Sequence, residues 1–179
     1  TGDFTQSPWG ETSSGVTTSQ STLTFSFNSS AITFTNLNSG NAYTDSTQTT
    51  ILTTSTNAYN GYLVNARETG MLTASGIGTI ADYPSPNSDP TTWSGNGFGY
   101  TTDDSDLAGG TANRFTNGGA KYAGFTTASP GDPVADHAGP VLSPISNEQF
   151  TISYRVTASA SQKAGQYQTT IIYVIVPTF

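Results

Sequence analysis

The sequence of 179 residues has no cysteine, one histidine, one methionine and charged residues at only 9% of positions. No disulfide framework and no cysteine-held metal can therefore staple it, so any fold must rest on its own core. Five basic residues, Arg67, Arg114, Lys121, Arg155 and Lys163, stand scattered against 12 acidic ones, for a net charge of −7 and an isoelectric point near 4.2. Nucleic acid or an anionic membrane would repel such a chain and find no cationic cluster on it. No apolar run is long enough for a membrane-spanning helix, and no charged-then-apolar leader opens the sequence, which reads as a mature, secreted form without membrane insertion. Catalytic signatures are equally scarce. Neither a G-x-S-x-G elbow nor an Asp-Thr/Ser-Gly signature is present, and Asp136 beside His137 in a Gly/Pro-rich stretch does not make triad geometry, so His137 reads as a surface loop residue.

What the sequence has in quantity is threonine and serine, together about three positions in ten. Threonine is β-branched, with a hydroxyl for water and a methyl for packing, which suits a two-sided sheet. Phe150, Ile152, Tyr154 and Val156 fall at every second position, the period of a strand with one buried face. A turn signal at 161–165 and a second apolar run at 166–176 make the end of the chain read as a β-hairpin. That last run is apolar on both faces, which predicts a central place or a partner covering its outer side. Alternation also predicts strands at 21–28 and 31–37, joined by a tight turn at Asn28-Ser-Ser30, then at 46–56, 61–68 and 121–127. From 74 to 119 the chain is rich in Gly, Pro, Asn and Asp, and its isolated aromatics are expected to plug one sheet as a cap. The pattern predicts a single all-β domain over 22–179, a β-sandwich of jelly-roll or immunoglobulin-like type with eight or nine strands. Residues 1–21, whose large apolar groups are Phe4, Trp9 and Val16, read as an extended arm.

Candidate sites are few. Asp103, Asp104 and Asp106 gather carboxylates on a Gly-rich loop, a donor set that suits calcium, though not at EF-hand spacing; otherwise no cofactor is expected. Trp93, Tyr83 and Tyr100 could form a stacking platform for surface glycans, or serve as core plugs. Asn28 heads the sole N-x-S/T sequon, a glycosylation signal. Glu68 and Glu148 sit at strand ends, where paired carboxylates of a glycosidase or solvated edge charges both occur. A lysine–asparagine isopeptide bond at Lys121 or Lys163 would need a desolvated trio with an acidic side chain.

Two segments carry a resemblance. Ser161-Gln-Lys-Ala-Gly-Gln-Tyr-Gln-Thr-Thr-Ile171 resembles the AG-x-Y-x-x-T-hydrophobic lead-in to the last strand of bacterial surface and coat proteins, among them WxL-type, spore-coat-U-like and camelysin-like biofilm-fibre proteins. Ser55-Thr-Asn-Ala-Tyr-Asn-Gly-Tyr62 is similar to the T-N-x-x-x-G-Y turn of the same group, while the Trp-x-Leu signature itself is missing. The resemblance implies all-β subunits of which some build fibres by lending an extended segment to the next subunit's sheet. The expectation is a non-enzymic structural subunit of an extracellular filament or cell-surface coat, a homopolymer partnered by copies of itself through Phe4, Trp9 and Val16. The alternative is a monomeric adhesin or carbohydrate-binding module.

Overall fold

The computed structural model describes residues 20–35, 37, 42, 43, 48–107, 113–116 and 118–179, and none of these residues is helical. In chain order the strands are β1 (Leu23–Phe27), β2 (Ala42–Tyr43), β3 (Thr49–Thr56), β4 (Gly61–Glu68), β5 (Leu72–Ala74) and β6 (Gly78–Ile80). They continue with β7 (Thr91–Thr92), β8 (Gly97–Thr102), β9 (Lys121–Tyr122), β10 (Asp132–Ala138), β11 (Ile145–Thr157) and β12 (Ile171–Pro177). The chain is all-β, and two antiparallel sheets form a β-sandwich. One sheet holds β1, β3, β11 and β8, with β2 also on β11; the other has the order β10-β4-β12.

Alternation decides which side chains meet between the sheets. Ile152, Tyr154 and Val156 of β11, with Phe98 and Tyr100 of β8, face Tyr62, Val64 and Ala66 of β4, and all eight are buried. Phe125 packs its ring against Tyr100 with centroids 4.4 Å apart, sealing one side of this core. Gly61 starts β4 at φ +80°, and a Cβ there would lie 1.8 Å from the His137 carbonyl oxygen, so the turn out of β3 needs glycine to bring β4 against β10.

The structure corrects three expectations drawn from the pattern. β1 pairs with β3 rather than with 31–37, and residues 31–35 join no ladder. Asn28 is the reason: its backbone N–H bonds to the Ile51 carbonyl while its Oδ1 accepts from the Ile51 N–H at 2.9 Å, closing the β1–β3 ladder, and the Ser29 hydroxyl then turns the chain by donating to Ala31 O. The terminal hairpin is also absent. β11 and β12 lie in opposite sheets, facing one another through the Tyr154 and Tyr173 hydroxyls at 2.5 Å, because the inward aromatic sets of both strands need each other across the core. Third, of the two alternatives for the last strand, a central place or a covering partner, the central one falls, since β12 lies at a sheet edge. The Pro-rich crossing contains β10, where the pattern predicts no strand, and the Gly-rich stretch from 74 to 119, read as loop with short strands, includes β8, which lies in the core.

Candidate assembly site

The four sheet edges are treated differently, and that difference defines the site. The outer edge of β8 is covered: Tyr83 N and Phe98 N exchange bonds with Phe98 O and Ala81 O, and Tyr100 and Ala123 bond each other in both directions. The outer edge of β10 is blocked by side chains, since Asp104 Oδ2 accepts from the Asp136 N–H at 2.7 Å and Asn87 Nδ2 donates to Pro133 O at 2.7 Å. β10 also carries a bulge between Pro133 and Ala135. On the opposite side of the sandwich, β1 and β12 each pair on one edge only among the described residues. Bonds at Thr69–Thr170 and Thr178–Gly61 fix the β4–β12 ladder, so residues 170, 172, 174, 176 and 178 bond to β4. The N–H and C=O groups of Ile171, Tyr173 and Ile175 therefore point outward. By the same alternation Leu23, Phe25 and Phe27 of β1 point outward from β3. None of these six has a backbone partner among the described residues.

Between those two edges the sandwich opens into a groove of about 690 Å³. Phe27, Phe34, Leu72, Ile80, Tyr154 and Ile171 give it an apolar floor and walls. It occupies the end of the sandwich where β1 finishes and β12 begins. A smaller adjoining hollow of about 400 Å³ is bordered by Lys163. Gln20, the first described residue, stands at the other end. Thr22 extends the β1 ladder by bonding Asn57, whose Nδ2 donates to the Gln20 carbonyl at 2.8 Å, which places Gln20 beside the turn at 57–60. Exposed apolar side chains mark both ends: Tyr59, Leu142, Val176 and Phe179 at the Gln20 end, and Phe27, Met71 and Ile77 at the groove end.

The residues singled out from sequence fall in several places. Phe4, Trp9 and Val16 lie outside the described residues. Tyr83 stacks on Trp93 at 4.3 Å, Arg155 covers the Trp93 ring at 5.1 Å, and Trp93 Nε1 donates to Thr157 Oγ1. Tyr100 is fully buried, its hydroxyl accepting from Asn87 Nδ2. The three aromatics therefore do not share one exposed face: two pack with Arg155 over the outer side of β8 and β11, and the third lies in the core. Asp103 Oδ1 accepts from the Thr151 N–H at 2.7 Å, and Asp104 Oδ1 from the Asp106 N–H at 3.2 Å. Two of the three aspartates thus cap backbone groups, and among the described residues no three His, Cys, Asp or Glu side chains gather as a metal site. Burial pushes the Asp104 carboxyl up to about 7 despite the bond from Asp136. Asn28 is exposed, but its Oδ1 is engaged with Ile51.

Two polar clusters went unread in the sequence because their members meet only across the fold. Glu148 accepts from the Tyr62 hydroxyl at 2.7 Å and pairs with His137 Nδ1 at 2.9 Å, clasping β4 and β10 to β11 of the facing sheet. A carboxylate accepts only, so His137 donates through Nδ1. His137 thus stands half-exposed on a strand, not on a loop. Glu68 is wholly buried, and neither of its oxygens nor Oδ1 of Asp82 meets an ordinary donor. Burial first, then the hydrogen bond with Asp82, pushes Glu68 up to about 8, and burial also raises Asp82. The pair is satisfied when one carboxyl keeps its proton and donates it to the other.

No family model, curated protein or solved structure matches this chain.

Proposed function

We propose that this protein is the structural subunit of an extracellular filament or surface coat, in which residues 1–19 of one copy enter the groove of the next. The observation that carries the reading is the placement of two parts: Gln20, which residues 1–19 precede in sequence, stands at one end of the sandwich and the apolar groove opens at the other. Such a contact is head-to-tail, and it propagates as a filament when the rotation between copies does not close into a ring. Nineteen extended residues reach roughly 60 Å, ample to run along a neighbouring sandwich. Phe4, Trp9 and Val16 supply anchors for an apolar groove, and burying one Trp and one Phe contributes roughly 4–6 kcal/mol before ordering costs. The low surface charge and the exposed apolar groups at both ends fit close stacking of identical copies.

Deleting residues 1–19 and imaging by negative stain tests this. The full chain is expected to form filaments or sheets as concentration rises, and the shortened chain to remain a folded monomer with a similar melting temperature. Single particles of the full chain at every concentration would favour a monomeric adhesin or carbohydrate-binding module. Loss of the fold on deletion would mean the arm packs on its own domain.

A further inference from the structure

We infer that the surface receiving the arm is the outer edge of β12, and that the backbone groups of Ile171, Tyr173 and Ile175 form a ladder with the stretch 9–19 of a second copy. The inference rests on the filament reading and specifies its contact. An exposed strand edge is a template for another chain, and proteins that must stay apart blunt such edges with proline, bulges, charge or covering side chains. This molecule does so on one side. β10 has Pro133, a bulge beside it, Asp132, Asp136 and His137 along its length, and Asn87 and Asp104 seated on its edge. β12 has none of these between Ile171 and Val176, where the sequence is Ile-Ile-Tyr-Val-Ile-Val.

The two open edges are not equivalent. The first residues of β12 line the groove through Ile171 and Tyr173, whereas β1 reaches it only through Phe27. Beyond the edge, the outer face of β12 carries Ile172, Val174 and Val176, while that of β1 carries exposed Thr24 and Ser26. A strand added to β12 would thus extend apolar cover on both faces, and one added to β1 would not. Pro177 has no N–H to offer, which ends the receiving edge after Ile175. The donor stretch follows from the same chemistry. Pro8 interrupts the arm's donors, and from Trp9 to Ser19 every residue keeps its N–H, with β-branched Val16, Thr12, Thr17 and Thr18 suited to a strand.

Residue-resolved amide exchange of the full chain, as monomer and after assembly, tests the proposal. In the monomer the amides of Ile172, Val174 and Val176 are slow and those of Ile171, Tyr173 and Ile175 fast; on assembly the second set slows by roughly tenfold or more. If the Leu23, Phe25 and Phe27 amides slow instead, the receiving edge is β1 and the inference is wrong, although the filament reading stands. Absence of any assembly by the unaltered chain overturns both. Ile175→Pro removes one outward donor while sparing the ladder to β4, and is expected to abolish assembly, whereas Leu23→Pro on the β1 edge keeps it. Filaments of Ile175→Pro equal to the unaltered chain's would overturn the inference, and the exchange pattern decides should that variant fail to fold.

Discussion

Glu68 is where acidity enters the stability of this protein. Its carboxyl is wholly buried and held up to about 8, with Asp82 as the charged group acting on it and Glu68 in turn acting on Asp82. In the unfolded chain the same carboxyl ionises in the ordinary range near 4.5. A group raised on folding stabilises most when it is protonated in both states, so its contribution is complete below about pH 4.5 and fades as pH climbs through about 8. Asp104, raised to about 7, acts in the same direction. The melting temperature is expected to fall by roughly 10 °C between pH 5 and pH 9, since each kcal/mol moves a chain of this size by about 2–4 °C. Glu68→Gln, which keeps a donor for Asp82 at every pH, should flatten most of that fall in a thermal scan. An unaltered chain whose melting temperature is level across this range would show that the pair does not hold its proton.

Among the elements, β10 and β12 show how an edge is closed or left open. Asp104 closes β10 by accepting the Asp136 N–H, and Asp104→Ala leaves that buried donor without the carboxylate. The expected cost is about 1–3 kcal/mol in denaturant unfolding, and a change below a few tenths would mean water replaces it freely. Much of the strand architecture was legible before any coordinates. Strict alternation at Phe150 to Val156 marks the inward face of β11, and Thr-rich 49–56 and Tyr62 to Ala66 fall where β3 and β4 stand. Pairing was not legible. Two apolar runs separated by a turn signal look the same whether they form a hairpin or face each other from opposite sheets, and only the Tyr154–Tyr173 contact across the core distinguishes the cases. β10 was hidden because Asp132, Pro133 and His137 read as loop residues, yet their polarity is what an edge strand requires. The Tyr62–Glu148–His137 clasp joins positions 86 residues apart, and no local pattern announces such a meeting.

As a whole molecule the protein is directional. Gln20 stands at one end, with exposed Tyr59, Leu142 and Phe179; the groove, with Phe27, Met71 and Ile77 at its margin, stands at the other. One side of the sandwich is sealed by side chains and loops, while the other keeps two edges that no described residue pairs, around apolar walls. With the proposed donor and acceptor on different surfaces the contact is heterologous, and it builds a line wherever the rotation between copies does not close. Helical reconstruction of the assembled full chain by cryo-electron microscopy tests this most directly. The account predicts density for residues 9–19 of each subunit running beside β12 of its neighbour; density showing each subunit's first residues folded into its own groove would contradict it.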